Sequence, residues 1–195
     1  MTTQIARRSF EFRSCGPLAA RTPAQAVRTF AGAFQQACSC LTLARFNVES
    51  YRPLDLPAPY HAELQNGQSV PLGGSSLRML AVLRYCIVPE AGVPGSWLVR
   101  LAAYDFELLD DDDREIIAYQ WHPQGRGPVT WPHLHIGPAA GDLWRPVSRA
   151  HFPTGPIIVS EVIRLAIREF GVPPRRADWE AVLQRTRSAL AAAQP

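Results

Sequence analysis

Residues 77–88 read Leu-Arg-Met-Leu-Ala-Val-Leu-Arg-Tyr-Cys-Ile-Val, an apolar run interrupted by arginine at two positions. Runs that are β-branched, aromatic or alternating in this way predict strands. Three more runs of the same character follow, at residues 97–109, 115–122 and 131–136. The connections between them are short, and short connections join antiparallel neighbours. With a further short run at residues 60–64, the sequence predicts an antiparallel meander of four to five strands.

Helical patterns lie on both sides of this stretch. A helix over residues 22–44 is predicted to begin at Thr22, a residue type that caps helix N-termini, and its apolar residues recur at helical spacing. Residues 154–156 predict the start of a second helix, and Asp178 that of a third. Because the chain shows no repeat and no change of composition, we predict a single α+β domain over residues 1–195, with helices on one face of the sheet.

The composition is that of an ordinary folded protein, with 47% hydrophobic and 19% charged residues. The sequence has no apolar run long enough to span a bilayer and no apolar segment of a secretory signal. We therefore expect a cytoplasmic protein without a membrane partner, whose four cysteines stay reduced. All twenty basic residues are arginine. Guanidinium groups make bidentate contacts with phosphate, so RNA or another nucleic acid is an open candidate partner.

The histidines point to a functional site. The chain has five, and His122, His133 and His135 fall close together in the sequence. Imidazole titrates near neutral pH, so such a group can move protons or hold a metal ion. Side chains alternate between the two faces of a strand. If the apolar faces of both strands meet the helices, the three histidines share the opposite face, and we predict them as the catalytic residues.

The same alternation adds charged residues from the two preceding strands. Arg78 and Arg84 share one face of their strand, and Asp105 and Glu107 share one face of the next. We predict Arg78, Arg84 and the loop residue Arg126 as substrate-binding residues. Arg100 does not fit this scheme, because unbroken alternation places it on the apolar side of its strand. The acidic run at residues 110–113 is predicted to be a solvated hairpin tip.

Two chemistries fit the histidines, and a purely structural or binding role is the third possibility. A metal site requires three ligands, and either His122 or His151 can complete the His-x-His pair. Metal-free cleavage of RNA requires one histidine as base and another as acid, with Arg84 or Arg126 stabilising the phosphorane. The sequence names no certain cofactor and leaves a divalent metal open.

One part of the chain resembles a known family. Tyr119-Gln-Trp-His122-Pro, followed by Trp131-Pro-His133-Leu-His135, resembles part of the TumE-type toxins of bacterial toxin–antitoxin systems. The resemblance covers only the region from His122 to His135, and the acidic Asp-Asn step of the family is replaced here by Tyr-Gln-Trp. It implies a small α+β protein that acts on RNA as a toxin, with His122, His133 and His135 as the site. The segment from His151 to Trp179 resembles proteins of GC-rich actinobacteria and implies no activity.

Three functions therefore remain open. The first is a small nucleic-acid-acting protein, such as a toxin-like ribonuclease that uses the histidines on the exposed sheet face. The second is a non-catalytic interaction or accessory protein of a defence or toxin–antitoxin operon, with a cognate protein partner. The third is a metal-binding enzyme.

Overall fold

A computed structural model describes residues 20–50, 59–125, 127–141 and 147–194. Its helices are α1 (Pro23–Cys38), α2 (Val159–Arg168) and α3 (Trp179–Ala192). Its strands are β1 (Phe46–Val48), β2 (Tyr60–Leu64), β3 (Val70–Pro71), β4 (Arg78–Pro89), β5 (Trp97–Leu109), β6 (Glu115–Trp121), β7 (His133–Ile136) and β8 (Phe152–Pro153). The strands form one sheet in the order β1-β2-β4-β5-β6-β7-β8, with β3 also paired to β4. Every strand pair in the described part of the chain is antiparallel.

The predicted α+β class is confirmed, with one helix before the sheet and two after it. The predicted strand number was too low, since the sheet has eight strands and not four or five. The missed strands β1, β3 and β8 have only two or three residues each. Such strands are too short for an alternating pattern to emerge, and only pairing with their neighbours defines them.

Helix α1 begins as predicted and ends earlier. The Thr22 hydroxyl accepts a hydrogen bond from the Gln25 backbone N–H at 3.2 Å, which caps the first turn. The helix ends at Cys38 instead of continuing to residue 44. The Gln35 side chain explains the reversal, because it donates to the Ala44 carbonyl and accepts from the Phe46 backbone N–H. These two bonds direct the chain back along the helix and into β1.

Helix α2 begins later than predicted, at Val159. The residues expected to start it make other bonds. The Thr154 N–H donates to the Pro132 carbonyl, which extends the pairing of β7 with β8, and the Ile157 N–H donates to the Tyr104 hydroxyl. Residues 154–157 therefore join the sheet edge to the helix, and only then does the helical pattern begin.

The three helices cover one face of the sheet, and we call the other the open face. Phe34 of α1 is 1% exposed and stacks on Phe46, with ring centroids 3.9 Å apart. Met79, Phe106 and other alternate residues of β4 and β5 face the same core. No helix among the described residues combines the length and the apolar character needed to cross a membrane.

A β-bulge in β5 resolves the position of Arg100. Arg84 pairs with Ala103, whereas Tyr85 pairs with Leu101, so Ala102 is an extra residue on β5. An extra residue reverses the alternation on one side of the bulge. Val99 and Leu101 consequently face the core, and Arg100 is exposed. The expectation that Arg100 lies on the apolar side was wrong, because it assumed unbroken alternation.

Candidate metal centre

Three histidines converge at the edge of the sheet: His133 and His135 on β7, and His151 immediately before β8. One ring nitrogen from each lies within 4.8 Å of those of the other two. Their ring centroids are separated by 4.8 Å, 5.0 Å and 4.3 Å. We call these residues the histidine cluster. In the described part of the chain, no other group of three or more His, Cys, Asp or Glu residues converges in this way.

Strand register accounts for the convergence. Leu134 and Ile136 pair with Tyr119 and Ile117 of β6, which pack against the core, and paired residues of neighbouring strands share a face of the sheet. His133 and His135, which alternate with them, therefore lie on the open face, opposite Gln120 and Ala118. β7 then pairs antiparallel with β8, with Leu134 opposite Phe152. One more step in that register places His151 opposite His135.

The hydrogen bonds of His133 orient its ring. Its Nδ1 lies 2.8 Å from the Trp131 carbonyl oxygen. A carbonyl only accepts, so Nδ1 carries the proton and Nε2 keeps its lone pair. That Nε2 lies 3.0 Å from Nε2 of His135. In protein metal sites, the histidine nitrogen that does not bind the ion commonly donates to a carbonyl or carboxylate, which fixes the ring.

Burial decreases across the cluster. His133 is 4% exposed, His135 is partly buried, and His151 is exposed. Burial lowers the pKa of His135 below its ordinary value of 6.5, and the neighbouring His151 and His133 lower it further. A lowered pKa favours neutral imidazole, the form that binds metal ions. The cluster is therefore a set of nitrogen donors that opens to solvent beside His151.

The donor set and its dimensions fit a zinc-like ion. Zinc–nitrogen bonds of about 2.0–2.1 Å in tetrahedral geometry place ligand nitrogens about 3.4 Å apart. The 3.0 Å separation of His133 and His135 is close to that value. All three donor nitrogens lie within 4.8 Å of one another, so small side-chain movements bring them to this geometry. Three histidines leave a fourth position free, which is characteristic of catalytic zinc sites.

His122 lies outside this cluster, although we predicted it as a member of the catalytic set. Its Nε2 is 2.8 Å from Oδ1 of Asp105, a residue on the open face of β5. Of the two candidates for a third ligand, His122 and His151, the structure brings His151 to the pair. The sequence does not distinguish the two candidates, because His151 is far from β7 along the chain. Only the pairing of β7 with β8 brings it to His135.

The arginines predicted to bind substrate do not surround the cluster. Arg78, the first residue of β4, is held by the Asp113 carboxylate at 2.7 Å and by the Ser69 hydroxyl at 2.9 Å. Arg84 is exposed on the open face of β4, and β5 and β6 separate it from β7. Arg126 lies outside the described residues. Among the described residues, Arg149 is exposed on a helical turn, Val147–Arg149, that packs against β7.

Two acidic side chains of β5 lie on the open face, two strands away from the cluster. Asp105 lies opposite Gln120, and Glu107 lies opposite Ala118. Burial raises the pKa of Glu107 above its ordinary value of 4.5, and the neighbouring Asp105 and Glu115 raise it further. A hydrogen bond from Gln120 partly offsets this rise. A continuous polar row thus crosses three strands, from Asp105 through Gln120 to His133.

Comparisons of the chain with protein-family models, with curated proteins and with solved structures find no match. The histidine cluster and its surroundings therefore carry the functional argument.

Proposed function

We propose that the protein is a metal-dependent hydrolase in which His133, His135 and His151 hold one divalent transition-metal ion, with zinc as the best fit. The observation that carries this proposal is the convergence of three imidazole nitrogens within 4.8 Å on an exposed sheet edge. The bond from His133 to the Trp131 carbonyl supports it, since it leaves Nε2 available as a ligand. A zinc ion held by three histidines lowers the pKa of water in its fourth position to about 7 and so makes it a nucleophile at neutral pH.

The residues of the chain contribute binding and orientation. His133 is buried and fixed by its backbone partner, so it anchors the site, whereas His151 is exposed and completes it from the solvent side. Histidine ligands are neutral, so a bound divalent ion keeps its full positive charge. That charge favours substrates with anionic or strongly polarised oxygens, such as phosphate or carboxylate esters.

Nucleic acid is the substrate class that two neighbouring side chains favour. Trp131, next to the cluster in sequence, is 46% exposed, and exposed aromatic rings stack on unpaired bases. Arg149 is exposed on the turn against β7 and suits contact with a phosphate. A single-stranded RNA or DNA phosphodiester therefore matches the surroundings of the site. Hydrolysis of such an RNA would be the ribonuclease function that the sequence led us to expect.

The test is hydrolysis by the full chain, stripped of metal and then loaded with zinc. The probes are bis-para-nitrophenyl phosphate, para-nitrophenyl acetate and single-stranded RNA. We expect turnover that requires zinc, stops with EDTA and is lost in His135→Ala and His151→Ala. The matched control is His61→Ala, because His61 is an exposed histidine on the same face of the sheet but on β2.

The outcomes separate the alternatives. Cleavage of RNA that is unaffected by EDTA would support metal-free acid–base catalysis by histidine in place of the metal site. That chemistry has its own structural support, because the Nε2 atoms of His133 and His135 are close enough to share a proton. Zinc-loaded protein that cleaves none of the probes would contradict the hydrolase proposal and favour a non-catalytic accessory role.

A further inference from the structure

Besides the histidine cluster, the open face carries a hydrogen-bonded pair formed by Asp105 and His122. Nε2 of His122 lies 2.8 Å from Oδ1 of Asp105. A carboxylate accepts, so Nε2 carries the proton and Nδ1 is the nitrogen free to take up another. The His122 side chain is 41% exposed and that of Asp105 is 22% exposed, so substrate and water can reach the histidine.

The pair is a neighbour of the histidine cluster. Gln120 lies directly opposite His133, and His122 follows Gln120 by two residues. The register of β6 with β7 ends at this pair, and His122 directly follows the last residue of β6, with its side chain on the same open face. Because the His122 ring is bonded to Asp105 of β5, a proton would pass between the pair and the cluster through a water molecule on the open face.

The turn after His122 holds it in place. The Gly125 N–H donates to the His122 carbonyl at 3.0 Å. A Cβ at Gly125 would lie 3.2 Å from Cβ of His122, so the chain folds tightly over that residue. Asp105 sits on the long strand β5, in direct register with Gln120. Both members of the pair thus have defined positions relative to β7.

We propose that His122 is the proton acceptor for the reaction at the histidine cluster, and that Asp105 is the residue that positions it. This inference rests on the proposed hydrolase function. As a water molecule attacks the phosphorus of a phosphodiester, its oxygen–phosphorus bond forms and one of its O–H bonds breaks. Nδ1 of His122 takes that proton, the bond from phosphorus to the leaving oxygen breaks, and His122 then returns the proton to the leaving group or to solvent.

The experiment compares zinc-loaded wild type, His122→Ala, Asp105→Asn and the control His61→Ala, with bis-para-nitrophenyl phosphate as the probe. Zinc stoichiometry and affinity are measured on the same samples, and we expect them to be unchanged, because His122 is not a ligand. We expect His122→Ala to lower kcat by about 10²–10⁴-fold, the usual contribution of a general acid or base. We expect added imidazole to restore its rate in proportion to concentration.

Asp105→Asn keeps the size of the side chain and removes its charge. We expect kcat to fall, with KM and zinc affinity unchanged, and imidazole to have little effect because His122 still occupies its place. A general loss of structure would lower zinc affinity in both variants, and the binding measurement detects it.

Two failures are distinguishable. If the zinc-loaded wild type does not hydrolyse the probe, the hydrolase function is wrong, and the role of the pair with it. If the wild type is active and His122→Ala keeps its kcat, only the role of the pair is wrong. Zinc affinity that falls in His122→Ala as it does in His151→Ala would also overturn the proposal, because it would make His122 a ligand.

Discussion

The two ring nitrogens of His133 face different partners. Nδ1 donates to the Trp131 carbonyl, and Nε2 faces His135. His133 is also buried, unlike His151, which is exposed. Side chains on the open face, away from the helices, are usually expected to contribute little to stability. The structure changes that expectation for His133.

We predict that His133→Ala lowers the free energy of unfolding of the metal-free protein by about 1–3 kcal/mol, because it leaves polar partners unsatisfied in a buried position. The exposed His151→Ala should change it by no more than about 0.5 kcal/mol. Urea unfolding of both variants in the presence of EDTA measures the difference. Equal, small effects would show that His133 is not held as the structure describes.

At the scale of single elements, the pairing of β6 with β7 depends on a glycine at the end of β7. The Gly137 N–H donates to the Ile116 carbonyl, directly after the last residue of β7. A Cβ at position 137 would overlap the backbone carbonyl of Glu115. The overlap is with backbone, so a side-chain rotation cannot relieve it. Gly137 is two residues from His135, and any shift there reaches the histidine cluster.

We predict that Gly137→Ala destabilises the protein by about 1–3 kcal/mol, the usual cost of overpacking, and weakens zinc binding. Gly127→Ala is the control, because a Cβ at that position meets nothing within 4 Å. Thermal unfolding and a zinc titration of both variants provide the comparison. Wild-type behaviour of Gly137→Ala would mean that β6 and β7 are not as close as described.

Glu107, on the open face of β5, makes the stability of the protein depend on pH. Its pKa is raised in the folded protein, so the folded state binds more protons than the unfolded state as pH rises above about 4.5. The free energy of unfolding therefore falls as pH rises from about 4.5 to the raised pKa of Glu107. It falls no further once Glu107 is ionised in the folded protein. Glu107→Gln removes this ionisation.

We expect Glu107→Gln to be more stable than wild type at neutral pH, and the difference to disappear on acidification below about 4.5. Urea midpoints of the two proteins across this range measure it. A difference that is constant with pH, or that has the opposite sign at neutral pH, would contradict the raised pKa.

At the scale of the whole molecule, one core joins α1 to the sheet. Phe34 is 1% exposed and contacts the rings of Phe30, Phe46 and Phe106. We predict that Phe34→Ala lowers the free energy of unfolding by about 3–5 kcal/mol through lost burial and a cavity.

Asp111→Ala is the matched surface control for Phe34→Ala, with a change of no more than about 0.5 kcal/mol. Asp111 suits this use better than its neighbours, because Asp110 binds Arg114 and Asp113 binds Arg78. An unchanged urea midpoint in Phe34→Ala would mean that α1 does not pack on the sheet.

Much of this arrangement follows from local pattern. Strands β2, β4, β5, β6 and β7 were predicted within about two residues, and alternation correctly assigned His133 and His135 to the open face. Long-range pairing was not predictable. The two-residue strand β8 brings His151 to His135, and no local periodicity signals such a short strand. The pairing of His122 with Asp105 is likewise a tertiary contact, which cannot be inferred from spacing alone.

The central claim is that His133, His135 and His151 form one metal site, and zinc binding measures it most directly. Calorimetric titration of the metal-free full chain should give one zinc ion per chain. His151→Ala should weaken binding by more than about 10–100-fold, the range seen when only an outer-shell partner is lost, while His61→Ala and His122→Ala bind as wild type does. Absence of zinc binding to the wild type, or equal binding by wild type and His151→Ala, would contradict the account.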